Sequence, residues 1–140
     1  MGYFDSSAFV KLVLDEPGTN EARELYASMT AIQSSRLLVP ETHAAVARAA
    51  TGRRFTVSGT ARALDLLRAL LEQVEPLELD ASVAERAADL AATLLLRGAD
   101  AVHLASYERV EAGDAVLVAA DGELVRAAQA IGHAVAVPGT

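Results

Sequence analysis

The stretch Ala115-Val116-Leu117-Val118-Ala119-Ala120 carries no polar side chain and is closed by Asp121. A run this short and this apolar, with no alternation, reads as a strand buried on both faces, the pattern of a central strand in a parallel sheet covered by helices. The rest of the chain meets that demand. Further strands are predicted over 3–5, 31–34, 74–79 (weakened by Pro76) and 134–137. Between them lie helical segments. Ser6 or Ser7 is positioned to cap a helix over 8–14, which Asp15-Glu16-Pro17-Gly18 breaks, and Asn20 to cap one reaching Met29. A helix over 38–50 follows, interrupted by Thr51-Gly52-Arg53-Arg54; the next is capped by Ser58, ends near Glu72 and carries an apolar stripe of Leu64, Leu67, Leu70 and Leu71, read as core-facing. Asp80 or Ser82 caps a helix through Leu94 that Gly98 terminates; the last two helices run over 100–110 and 121–130. Alternating strands and helices predict an α/β fold, a mostly parallel central sheet flanked by helices on both faces with right-handed crossovers, as one domain over 1–140.

Four acids stand where such a fold gathers chemistry. Asp5 ends the first strand, Glu41 opens the helical run after Pro40, Asp100 opens the helix after Gly98, and Asp121 ends the apolar run. In a parallel sheet the carboxyl ends of the strands share one edge, and ligands bind in the crevice there. Carboxylates crowded at that edge repel one another, and a divalent cation with a preference for oxygen ligands, Mg²⁺ or Mn²⁺, relieves the repulsion. The expected chemistry is metal-dependent work on phosphate esters. Taken singly, each acid has a structural explanation as a helix cap or a first-turn carboxylate; the joint placement is what points to a site. His103, three residues after Asp100, is read first as a packed or hydrogen-bonded helix residue, with a general base as the alternative. His133 reads as a surface residue. Ser6 and Ser7 lack the elbow motif of a nucleophilic serine and are read as supports, fixing Asp5 or touching a metal-bound water.

Composition narrows the field. The chain has 140 residues, 52% of them hydrophobic, and a formal net charge of −7, which argues against a nonspecific nucleic-acid coat while leaving a nuclease open. Eleven of the twelve basic residues are Arg, suited to bidentate phosphate contact but read first as a mark of genome composition. Cysteine is absent, so thiol nucleophiles and zinc–thiolate sites are excluded, and a reducing cytosol is compatible with the chain without being shown by it; a cytoplasmic location is the expectation. No signal peptide or membrane span is read, and there is no glycine-rich phosphate loop.

At this point the residues resemble a family. Tyr3-Phe4-Asp5-Ser6-Ser7-Ala8-Phe9-Val10-Lys11-Leu12 with Asp15-Glu16-Pro17-Gly18, then Ser35 to Glu41 with Arg48, then Gly98-Ala99-Asp100-Ala101-Val102-His103-Leu104-Ala105, then Val118 to Leu124 with Ala127-Ala128 and Gly132, resemble the successive motifs of PIN-domain proteins of the VapC-like toxin group. Two departures are Ala119, where the family often has Thr, and Pro40 directly before Glu41. The resemblance implies a PIN-like three-layer fold and an endoribonuclease, the toxin of a toxin–antitoxin pair. It further implies that Asp5, Asp100 and Asp121 hold one or two Mg²⁺ or Mn²⁺, that Glu41 completes the catalytic acids, and that products carry 5′-phosphate and 3′-hydroxyl ends. RNA substrate, a cognate antitoxin and a homodimeric state are the implied partners, with no membrane association. The alternatives left open are a non-catalytic PIN-like RNA- or protein-binding module and another metal-dependent phosphatase or nuclease.

Overall fold

A computed structural model describes residues 1–52, 55–110 and 114–139. Five strands, β1 (Gly2–Phe4), β2 (Ile32–Ser35), β3 (Val74–Leu77), β4 (Val116–Val118) and β5 (Val135–Ala136), form one sheet in the order β3-β2-β1-β4-β5. Every pairing is parallel; Tyr3 lies beside Leu117 and Phe4 beside Val118. The chain builds outward from β1 in one direction, through β2 to β3, then returns to the other side of β1 for β4 and β5. The reversal falls between β1 and β4, the topological switch point of an open parallel sheet.

Alternation along the strands divides the interior into two layers, as the period of two demands. Tyr3, Leu117 and Ala119 face a cluster built with α5 (Ala81–Leu94), α6 (Gly98–Tyr107) and α7 (Gly122–Ala130). Phe4 and Val118 face the opposite cluster, built with α1 (Ser6–Phe9), a 3₁₀ turn (Val10–Leu12), α2 (Thr19–Ser28), α3 (Leu38–Thr51) and α4 (Val57–Glu72). Of the leucine stripe on α4, Leu67 is fully buried and Leu64, Leu70 and Leu71 pack against the same core, as expected. Among the described residues no helix is long and apolar enough to cross a membrane.

Several boundaries differ from the sequence expectation. Asp5, not Ser6 or Ser7, caps the first helix, accepting the Ala8 N–H at 2.9 Å, so the helix starts two residues early and tightens to 3₁₀ at Val10. Gly18 rather than Asn20 precedes α2, its φ of 92° reversing the chain after Pro17. Thr56 rather than Ser58 caps α4, accepting the Gly59 N–H. The predicted interruption over 51–54 lies partly outside the described residues, and Thr51 itself belongs to α3. Asp80 caps α5 as expected, but Gly98 does not end it: Leu95 does, at φ 55°, and Gly98 is the first residue of α6. His133 is half-buried, its ring edge-on to Tyr107 at 5.1 Å, rather than a free surface residue.

Candidate active site

Asp5 leaves β1 and donates its N–H to the Val118 carbonyl at 3.0 Å, which pins it to the edge where β4 also ends. Three residues beyond β4 is Asp121, the cap of α7, whose Oδ1 accepts from Glu123 and Leu124. Asp100 stands in the first turn of α6 and Glu41 in the first turn of α3. These four acids, separated by up to 116 residues in sequence, line one cleft of about 310 Å³ together with Ser6, Ser7 and His103. Capping and cleft-lining do not compete for the two caps. In Asp121 one oxygen closes the helix, while Oδ2 turns to the cleft side and lies 3.7 Å from Arg97.

Ser7 joins two of the acids. Its hydroxyl donates to the Asp5 carboxylate at 2.8 Å and accepts the N–H groups of Ala120 and Asp121 at 3.0 and 3.1 Å. Ser6 turns the other way and donates to Glu41 Oε1 at 2.6 Å. The same Oε1 lies 2.6 Å from His103 Nε2, and His103 Nδ1 lies 2.8 Å from the Tyr3 hydroxyl. His103 is therefore the packed, hydrogen-bonded helix residue that the sequence favoured, yet it borders the cleft through Glu41. Ala119 is fully buried in the core, and it is Ser7 that supplies the hydroxyl beside the Ala120–Asp121 turn.

Burial pushes the Asp5 carboxyl up to about 6, and the nearby charge of Asp100 adds to the rise, opposed first by His103 and then by the bonds from Ala8 and Ser7. Asp100 is likewise raised, first by desolvation and then by the charge of Asp121. Burial also works to raise Glu41, but the hydrogen bonds from His103 and Ser6 outweigh it and hold the carboxyl below its ordinary value. Arg97 reaches both Asp100 and Asp121, at 3.9 and 3.7 Å, but its side chain is 78% exposed. So open and long a pair is weak and leaves the acids available.

The donor set is all oxygen, half-buried and in excess of the cations around it, the setting a hard divalent ion stabilises. Among the described residues no three His, Asp or Glu side chains converge as a finished cage. One or two of these carboxylates are the protein share of the ligands that Mg²⁺ takes, since that ion keeps several waters and completes its shell with substrate phosphate.

Two features escaped the sequence reading. Arg97 had no signal beyond its place before Gly98, and the coupling of Tyr3, His103 and Glu41 joins residues 100 and 62 positions apart. A second hollow of about 330 Å³ shares Ser6, Ser7, Glu41 and Arg48 with the cleft and extends it along α3 past Val10, Ala44 and Ala45.

A parallel α/β sheet with an acidic cleft at its switch point is the architecture of the PIN domain, and the chain belongs to that family: the family model matches residues 2–130. Over 136 residues it is 45% identical to ribonuclease VapC45 of Mycobacterium tuberculosis strain CDC 1551 / Oshkosh and to ribonuclease VapC49 of strain ATCC 25618 / H37Rv, a match covering 96% of this chain and 93% of each relative. Its fold is similar to the crystal structure of Mycobacterium tuberculosis VapC20, described as a sarcin-ricin loop cleaving toxin. The TM-score is 0.68 over 95% of this chain and 96% of that one, and at 19% identity the likeness is one of fold.

Proposed function

We propose that this chain is a metal-dependent endoribonuclease, the toxin of a toxin–antitoxin pair, with Asp5, Glu41, Asp100 and Asp121 as its acidic site. The observation that carries the reading is the meeting of four carboxylates from four separate segments in one cleft at the β1/β4 switch point. The ribonuclease names of the two relatives, at 45% identity over nearly the whole chain, support RNA as the substrate. Asp5, Asp100 and Asp121 would hold Mg²⁺ or Mn²⁺, and Glu41 completes the acidic rim. A divalent ion bound there supplies an activated water and neutralises charge on the phosphodiester.

The chain's own residues prepare that site. Ser7 fixes the spacing of Asp5 from Asp121 by bonding the carboxylate of one and the backbone of the other. Asp5, raised to about 6 when alone, gives up its proton more readily once a cation sits beside it. Arg48 lines both the cleft and its extension along α3, and Arg97 stands at the opposite acids. Both guanidinium groups suit phosphates of a bound strand on either side of the cut. The companion antitoxin is expected to lie across the same groove and block it, and the setting is cytoplasmic.

The test is cleavage of a structured RNA pool by the purified chain with Mg²⁺ or Mn²⁺, beside EDTA and an Asp5→Asn/Asp100→Asn variant. Cutting that needs the metal and vanishes in the variant is the expected result. A folded, antitoxin-free chain that leaves the pool intact while retaining RNA binding would instead support a binding module, and cutting by the variant would remove the assigned site.

A further inference from the structure

The hydrogen bonds behind Glu41 fix more than its position. The Ser35 N–H donates to the Tyr3 hydroxyl at 3.1 Å, so that oxygen is already an acceptor. His103 Nε2 faces a carboxylate oxygen at 2.6 Å and, at 3.2 Å, the Ser6 hydroxyl, whose own proton goes to that same carboxylate oxygen; both can only accept from the ring, so Nε2 carries a proton. In a neutral imidazole the other nitrogen is then bare, and Nδ1 must accept the Tyr3 O–H across 2.8 Å. The donors run in one direction, from the end of β2 through Tyr3 of β1 and His103 of α6 to Glu41 of α3. Tyr3 is fully buried and His103 is 1% exposed, so water does not compete for the bond between them.

We infer that His103 is a positioning residue for Glu41, oriented by Tyr3 at Nδ1 so that its Nε2–H grips Glu41 Oε1 and leaves Oε2 turned to the cleft. Three features carry this. Both of Glu41's bonds, from Ser6 and from His103, fall on Oε1, and among the described residues Oε2 accepts none. A free Glu side chain with several rotatable bonds spreads over many rotamers, whereas two convergent donors select one. An imidazole in its neutral form can donate without placing a full positive charge beside a cleft that has to hold a cation. A lysine or arginine in its place would compete with that cation. Outer contacts that orient a working carboxylate matter to its chemistry almost as much as the carboxylate does.

The inference rests on the reading of Glu41 as part of the working cleft, and two independent measurements test it. The first needs no activity: long-range ¹H–¹⁵N spectra of the His103 ring in the full chain, at a pH well above the ordinary imidazole range. The expected ring is the Nε2–H tautomer, with its proton protected from exchange. That protection is lost in Glu41→Ala, and the tautomer preference weakens in Tyr3→Phe. A ring found as the Nδ1–H tautomer, or protection unchanged in Glu41→Ala, overturns the inference.

The second is steady-state RNA cleavage. His103→Ala is expected to lower kcat about 10–100-fold while KM moves by less than about 3-fold. His103→Gln, whose carboxamide N–H can still donate toward Glu41, recovers most of the loss. Wild-type kcat in a folded His103→Ala, or a Gln variant as poor as the Ala variant, overturns it. Should His103→Ala not fold, the Gln and Tyr3→Phe variants decide. A wild-type chain that cuts no RNA defeats the nuclease reading alone, and the ring spectra still decide the positioning role.

Discussion

Asp5 does three things at once: it caps α1, ends β1 and puts a fully buried charge at the cleft. The last of these costs stability. Its carboxyl moves from 3.8 to about 6 on folding, so the stability tied to the neutral form is fully present below about 4 and is lost as pH rises through about 6. A rise of that size corresponds to about 3 kcal/mol. Asn keeps the acceptor for the Ala8 N–H and carries no charge. Asp5→Asn is therefore expected to be more stable than wild type by up to about 3 kcal/mol above pH ~6, with the difference closing toward pH ~4. Urea unfolding across that range reads it, and a difference that does not change with pH would count against burial as the cause. Ser7 is the converse case, a hydroxyl whose loss leaves three partners without their bond. Ser7→Ala should cost about 1–3 kcal/mol, more than Ser6→Ala, because it strips two backbone N–H groups as well as Asp5. Equal midpoints for the two variants in chemical denaturation would argue that the Ala120–Asp121 turn does not depend on Ser7.

At the scale of elements, the corner between α5 and α6 shows how local rules and packing divide the work. Leu95 takes the left-handed conformation at φ 55° although its side chain is 85% exposed and gains little burial in return. Leu96, next to it, is buried in the core cluster and sets where the chain must turn. A left-handed residue with a Cβ costs about 1–2 kcal/mol, and glycine gives back part of that in unfolded-chain entropy. Leu95→Gly should stabilise the chain by up to about 1 kcal/mol without touching the cleft. A lower thermal midpoint for that variant would mean that the Leu95 side chain makes contacts worth more than the strain. The same corner explains why Gly98 is free to open α6: no side chain or backbone outside its own turn lies within 4 Å of where its Cβ would be. Asp100 is delivered to the cleft by that early start, two residues into the helix.

For the whole molecule, the sheet topology concentrates negative charge at one edge of a chain that is already at −7. Folding must hold Asp100 and Asp121 near one another against their mutual repulsion, with the exposed Arg97 offsetting it in part. On the proposed reading, a divalent cation binds the folded chain alone and so stabilises it by mass action, about 2.7 kcal/mol at a hundred times its dissociation constant. Mg²⁺ or Mn²⁺ should raise the thermal midpoint of the wild type, and EDTA should reverse the gain. The Asp100→Asn/Asp121→Asn variant should show no such rise and should melt higher than the metal-free wild type, because the repulsion is gone. A cation effect of equal size in both proteins would locate the binding elsewhere.

The acids were legible from the sequence because each lies beside a local signal: an apolar strand before Asp5 and Asp121, a helical run after Glu41 and Asp100. Strand and helix periods are set by backbone geometry within a few residues, and so are the caps; hence the layers, the parallel sheet and the cleft edge could be read from the chain. Where the cap fell elsewhere than the local pattern put it, on Thr56 rather than Ser58 and on Leu95 rather than Gly98, the outcome turned on core packing that local patterns do not contain. Which hydroxyl serves which acid was also beyond the sequence. Ser6 and Ser7 are adjacent and alike, and only the twist of α1 against β4 and α3 sends one to Glu41 and the other to Asp5. The protonated nitrogen of His103 was further still from view, since it follows from Tyr3 facing the α6 layer and from Ser35 ending the strand beside it. By itself the sequence determined the elements and the residues that carry charge to one edge. The tertiary structure decided their hydrogen-bond partners, because those depend on distances between segments up to 114 residues apart that only strand register and helix packing bring within about 3 Å.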